Sequence, residues 1–170
     1  VDCCVQQDLV EQAQLAMDRL RALGLTVVTA ESCTGGLVAA CLTHARDAST
    51  SFLGAFVAYT KTYKTDVLGV DGRLLREQGA VTQEVARQMA EGALRIAHAS
   101  VAIAITGVLG PDPDEDDNPP GLVYVGLARA GRPTQLVRCD FQGCQPDRVR
   151  ARVVLKALEL LRDCGRDQRD

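Results

Sequence analysis

The chain has 170 residues, and its 19 lysines and arginines stand against 22 aspartates and glutamates, a formal net charge of −3. At this length one core buries roughly two-thirds of the unfolded surface, so a single domain over residues 1–170 needs neither a metal nor disulfides to hold it together. A 46% hydrophobic, 24% charged composition excludes a disordered chain, and the slightly acidic balance without a basic run gives no footprint for nucleic acid or an anionic membrane.

From Asp8 to Leu23 the apolar residues Leu9, Val10, Ala13, Met17, Leu20 and Leu23 recur at three- and four-residue steps, and Gly24 follows as a stop. That spacing predicts an amphipathic helix. Leu25 to Ala30 is a short β-branched run between Gly24 and a Gly-containing turn, which predicts a buried strand. A second helix is expected from Leu37 to His44 and a strand from Phe52 to Tyr59. Thr62 is the expected cap of a short helix reaching Leu68, and Leu74 to Gln78 is read as one turn before Gly79. Thr82 caps a longer helix carrying Val85, Ala86, Met89, Ala90, Ala93, Leu94 and Ala97 on one face.

Val101 to Ile105 is again a continuous apolar strand, and Gly107 to Pro120 is a loop of glycine, proline and acid. Leu122 to Ala128 and Gln135 to Phe141 flank Gly131-Arg132-Pro133 as a hairpin, and Arg148 to Leu161 closes the chain as a helix. This order implies an α/β domain, a three-layer α/β/α arrangement on a mixed, mostly parallel sheet of about five strands. No apolar run approaches a membrane span, and no basic region precedes an apolar one at the N-terminus, so a soluble cytoplasmic protein is expected.

The seven cysteines, at 3, 4, 33, 41, 139, 144 and 164, never form C-x-x-C, so no metal site is expected. The acids from Asp112 onward imitate a calcium loop only superficially. Counted from Asp112, Asp117 stands where glycine is required and Val123 where a bidentate glutamate belongs. Five acids flanked by Pro111 and Pro119-Pro120 are therefore read as a solvated, mobile loop. His44 and His98 have no acid at ligand spacing.

In open α/β sheets ligands gather at the carboxyl ends of strands, and three segments lie there. Ala30-Glu31-Ser32-Cys33-Thr34-Gly35-Gly36 is a strand-to-helix turn whose backbone amides suit an oxyanion or a phosphate, although an N-cap with flexible glycines has the same pattern. Tyr59-Thr60-Lys61-Thr62-Tyr63-Lys64 offers lysines that serve as a base if desolvation and a neighbouring cation lower their pKa, as a phosphate anchor if they stay charged, or merely as a solvated helix start. Ile105-Thr106-Gly107-Val108-Leu109-Gly110-Pro111-Asp112 leaves a buried strand and is either a wall of the site or simply a turn.

Taken jointly, Thr29-Ala30-Glu31-Ser32-Cys33-Thr34-Gly35-Gly36, then Phe56-Val57-Ala58-Tyr59 with Lys64 and Leu68-Gly69-Val70, then Gly79-Ala80-Val81-Thr82, and Ile105-Thr106-Gly107 with Gly110-Pro111-Asp112 resemble the CinA C-terminal domain family from about residue 9 to 161. The resemblance implies hydrolysis of nicotinamide mononucleotide to nicotinate mononucleotide and ammonia, without metal or cofactor. It implies Ser32 as nucleophile, Lys64 as base, and Tyr59 and Thr106 beside the reacting centre. Thr34, Gly35, Gly36, Lys61, Gly107, Arg148 and Arg150 are the expected substrate contacts. Lys61 is expected to lower the pKa of Lys64 as a neighbouring cation. The partner implied is a small-molecule pyridine mononucleotide, with no nucleic acid or membrane, in a homo-oligomer; the pyrophosphatase-like N-terminal domain of two-domain relatives is not expected here.

The sequence also departs from the family pattern. G-P-D-G-G reads Gly110-Pro111-Asp112-Pro113-Asp114, the lysine-proline that follows reads Pro119-Pro120, and a Gly-Ser-Ser reads Asp47-Ala48-Ser49. F-x-G-x-R reads Phe141-Gln142-Gly143-Cys144-Gln145, with one extra residue before Val149-Arg150, which leaves Arg148 and Arg150 in place of the missing arginine. Two alternatives stay open: a weakened relative that binds a pyridine nucleotide as a regulatory module, and a hydrolase of another small amide.

Overall fold

The computed structural model describes residues 7–165. Six α-helices and five strands follow in the order α1 (Gln7–Ala22), β1 (Val27–Glu31), α2 (Leu37–Thr43), β2 (Phe52–Val57), α3 (Lys61–Leu68), α4 (Gly72–Gln78), α5 (Gln83–Ala97), β3 (Val101–Gly107), β4 (Leu122–Arg129), β5 (Arg132–Asp140) and α6 (Pro146–Arg162) among the described residues. The strands form one sheet in the order β2-β1-β3-β4-β5. β1 pairs in parallel with both β2 and β3, whereas β4 is antiparallel to β3 and to β5. Four strands therefore share one direction and β4 opposes them.

Side chains alternate across this sheet and seed two cores. Val27, Val101, Ile103, Ile105, Val123 and Val125 pack under Met17, Leu20, Val153, Leu158 and Leu161 of α1 and α6, with Val38 and Leu42 of α2. On the other face Val28, Ala30, Ala102, Ala104 and Ala128 meet Leu68 and Leu75 of α3 and α4 and Val85, Met89 and Ala93 of α5. Small residues on this second face let α5 approach closely. At Gly126 of β4 a Cβ would stand 2.8 Å from the carbonyl oxygen of Ala86 in α5, and α5 packs tightly on α3 as well, where a Cβ at Gly92 would stand 2.0 Å from the carbonyl oxygen of Leu68.

Several boundaries differ from the sequence reading, each for a local reason. Thr60, not Thr62, caps α3: its extended backbone turns the hydroxyl toward the Tyr63 amide, which donates to it at 3.2 Å. The segment read as one turn at Leu74 is a two-turn helix, because Asp71 caps it by accepting from the Arg73 amide at 2.8 Å. Arg132 and Pro133 belong to β5 and not to the turn; β5 is an edge strand, where a missing N–H is tolerated. Pro146 opens α6 two residues before Arg148, since the first helical position needs no N–H donor. Cys33, Cys41, Cys139, Cys144 and Cys164 are free thiols, while Cys3 and Cys4 lie outside the described residues. No helix of the described residues is long and apolar enough to cross a membrane.

Candidate active site

Parallel β1, β2 and β3 end along one edge of the sheet, and the three segments singled out from sequence leave from there. The Ser32 amide donates to Ile105 O of β3 at 3.1 Å and the Ala58 amide donates to Glu31 O at 2.8 Å, so the turn after β1 is fastened to both neighbours. The result is a cleft of about 1070 Å³, lined among others by Ser32, Cys33, Thr34, Gly35, Gly36, Tyr59, Lys61, Lys64, Thr106, Gly107 and Arg150.

Ser32 and Lys64 meet at its floor. Lys64, only 1% exposed, donates from Nζ to Ser32 Oγ at 2.8 Å, to Ala58 O at 2.9 Å and to Tyr59 O at 3.1 Å. These three bonds use every ammonium proton. Desolvation lowers the Lys64 pKa from 10.5 to about 8, against a smaller opposing influence of Cys33. A lysine held in this way is an ammonium in the arrangement described and loses its proton near pH 8, and the neutral amine can then take the proton of the serine it touches. Cys33, next in sequence, is pushed the other way, since burial raises its thiol to about 12.

The turn itself is organised by a residue the sequence reading passed over. Glu31, fully buried at the end of β1, accepts at Oε2 from Thr34 Oγ1 at 2.7 Å, the Gly36 amide at 3.0 Å and the Val38 amide at 3.1 Å. Its Oε1 accepts from the Ala39 amide at 2.8 Å and Thr29 Oγ1 at 3.1 Å. Because α2 begins at Gly36 with no side-chain cap, the glutamate takes its orphan amides from across the turn. Gly35 and Gly36 adopt φ of 62° and 93°, which the turn requires and other residues resist. The only sequence signal was an acid placed at the end of an apolar strand.

This bonding redistributes the roles expected of the loop. The Ser32, Gly35 and Gly36 amides donate to Ile105 O, Ser32 O and Glu31, so they are spent inside the protein. Cys33 and Thr34 carry the amides of this turn that make none of these bonds. The Thr34 hydroxyl serves Glu31, and Thr106, 1% exposed, donates to Ala80 O at 2.7 Å on the cleft wall. Gly107 is needed for packing as well, because a Cβ there would fall 2.6 Å from Val123 Cγ2. Tyr59 lends its carbonyl to Lys64, and its side chain is 72% exposed.

Two expectations are corrected. Lys61 does not depress the pKa of Lys64; it donates to Asp116 Oδ1 at 2.7 Å and pairs with Glu115 Oε1 at 2.9 Å, and these carboxylates raise its own pKa. The acidic loop, read as freely solvated, is anchored by these pairs and by the Ala80 amide, which donates to Asp116 Oδ2 at 3.3 Å. Asp114, Glu115 and Asp116 thereby become part of the cleft wall. Of the two arginines expected near the substrate, Arg150 lines the cleft, while Arg148 is exposed and outside it. An extra residue ahead of α6 rotates the helix positions that face the site.

Fold and site together define a three-layer α/β/α domain whose parallel strands converge on a buried serine–lysine pair. The chain belongs to the CinA C-terminal domain family, whose model matches residues 10–164. It is 44% identical to a CinA-like protein of Geobacter sulfurreducens over 84% of this chain and 34% of that protein. It is 41% identical to a CinA-like protein of Anaeromyxobacter dehalogenans, over 89% and 37% respectively. The chain thus spans about a third of the length of these curated relatives. Among solved structures, the competence/damage inducible protein CihA from Agrobacterium tumefaciens superposes with a TM-score of 0.88 at 36% identity, covering 94% of this chain and 96% of that one. The competence damage-inducible protein A from Klebsiella pneumoniae gives 0.89 at 32% identity, covering 95% and 99%.

Proposed function

We propose that the protein is an amidohydrolase acting on the carboxamide of a small pyridine compound, with nicotinamide mononucleotide as the first substrate to assay. The observation that carries this reading is the 2.8 Å contact between Ser32 Oγ and a desolvated Lys64 on the floor of an open cleft. Ser32 Oγ attacks the carboxamide carbon while its proton passes to Lys64 Nζ, and the oxygen that becomes negative is met by backbone amides of the turn, those of Cys33 and Thr34. Collapse of the tetrahedral intermediate breaks the C–N bond, and the departing nitrogen takes the proton from Lys64 as ammonia leaves. Water, deprotonated by the same amine, then opens the Ser32 ester to give a carboxylate and the free enzyme. Three carboxylates on the cleft wall favour a second reading within this chemistry, in which the amide is not that nucleotide.

Purified protein incubated with nicotinamide mononucleotide, and in parallel with its phosphate-free nucleoside, is expected to release ammonia. Ser32→Ala should lower the rate by on the order of 10³ to 10⁶. Cys33→Ala should keep most of it, because a thiol held near 12 supplies almost no thiolate at neutral pH. No ammonia from either amide overturns the pyridine-carboxamide reading and leaves a binding module or a hydrolase of another small amide, and a reversed pattern in the variants moves the nucleophile to Cys33.

A further inference from the structure

The family resemblance leads to a phosphorylated substrate, yet Lys61, a cation of the cleft lining, is already held by carboxylates. Lys61, in the first turn of α3, extends its ammonium into the cleft lining and is there held by Glu115 and Asp116 at 2.9 and 2.7 Å. The hold is built into the fold. Asp114 shapes the loop by accepting from the Asp116 amide at 3.0 Å and the Asn118 amide at 2.8 Å. Asp116 also rests on Gly79, its Oδ2 standing 2.5 Å from where a Cβ would be, and accepts from the Ala80 amide. Across the cleft, Arg150 is paired with Asp147 at 3.6 Å. With Lys64 charged, three cations of the lining match its three carboxylates, and once Lys64 gives up its proton to act as a base the lining is net negative.

We propose that Glu115 and Asp116 determine the substrate class of this site: by filling the anion position on Lys61, they make it accept carboxamides that carry no phosphate, neutral or cationic, in preference to phosphorylated ones. This rests on the amidohydrolase reading. A phosphate approaching Lys61 meets two carboxylates already within bonding distance of it, and like charges so close are strongly disfavoured. A pyridinium ring bearing the carboxamide meets the same charges favourably.

The test compares kcat/KM for nicotinamide mononucleotide and nicotinamide riboside in the wild-type protein and in a Glu115→Gln, Asp116→Asn double variant, whose side chains keep their size. Wild type should favour the nucleoside by about tenfold, and the double variant should move that ratio at least about tenfold toward the nucleotide. Adding Lys61→Ala to the double variant should cancel the gain. Inorganic phosphate gives a second readout, inhibiting turnover of the nucleoside by the double variant but not by the wild type. A wild-type preference for the nucleotide overturns the proposal, as does a ratio unmoved in a folded double variant. If the wild type turns over neither amide, the pyridine-carboxamide reading fails, and the same comparison is made on dissociation constants by titration calorimetry. Tighter nucleoside binding that reverses in the double variant then upholds the charge assignment. Tighter nucleotide binding by the wild type, or no binding of either compound, overturns it.

Discussion

A lysine buried without a carboxylate beside it titrates where its surroundings allow, and for Lys64 desolvation sets that point at about 8. If the neutral amine is the base, kcat/KM rises with pH through a midpoint near 8, and Lys64→Ala costs roughly 10² to 10⁴ in turnover. Lys61→Ala should leave that midpoint in place, since no influence of Lys61 contributes to it. A midpoint that moves by a unit in Lys61→Ala would restore Lys61 as the neighbouring cation. Stability carries the same signature. The folded pKa lies below the unfolded 10.5, so the unfolded chain binds more protons between about pH 8 and 10.5 and stability rises with pH across that window, by roughly 3 kcal/mol in all. Below pH 8 that contribution is lost. Ser32 and Lys64 were legible in the sequence because a specific run of residues marks them. The partners of Lys61 were not, because Glu115 and Asp116 lie more than fifty positions away and reach it only through a folded loop.

Helix α2 shows how an element can start on a residue outside it. Seven residues long and opened by a left-handed glycine, it has no cap of its own and depends on Glu31 for the amides of Gly36, Val38 and Ala39. Glu31→Ala leaves these donors and two hydroxyls without their acceptor in a buried turn, at a cost of about 3 kcal/mol or more. For a chain of this size that lowers Tm by roughly 6 to 12 °C. Glu31→Gln retains one oxygen and should lose less, and in both variants activity falls because Ser32 is carried on the same turn. Equal melting of wild type and Glu31→Ala would show that water replaces the carboxylate without loss. Element type along the chain followed from apolar periodicity, whereas ends followed from single contacts that periodicity does not encode. Thr60 and Thr62 are equally good caps in sequence, and only the backbone leaving β2 selects Thr60.

At the scale of the whole molecule the alternation of helices and strands was enough to place three strand ends on one edge, since parallel pairing leaves few topologies. What closes that edge was misread, because acids between prolines carry the composition of a solvated loop whether or not a cation awaits them. The loop joins β3 to β4, and through Asp116 it ties α3 to the segment before α5. Its stabilising contacts are two ion pairs, with Lys61 28% and Asp116 24% exposed, worth about 0 to 1 kcal/mol each, and one backbone hydrogen bond worth about 1 kcal/mol. Replacing residues 112–118 with a Gly-Ser turn should therefore lower Tm by roughly 2 to 12 °C without unfolding the domain. Asp116→Ala alone should reproduce most of the loss, because Asp116 makes both the shorter ion pair and the backbone contact. Thermal melts of the two variants decide the matter. An unchanged Tm in both returns the loop to the solvated state its composition suggests, while collapse of the loop variant with an intact Asp116→Ala places the anchoring in the Asp114 turn.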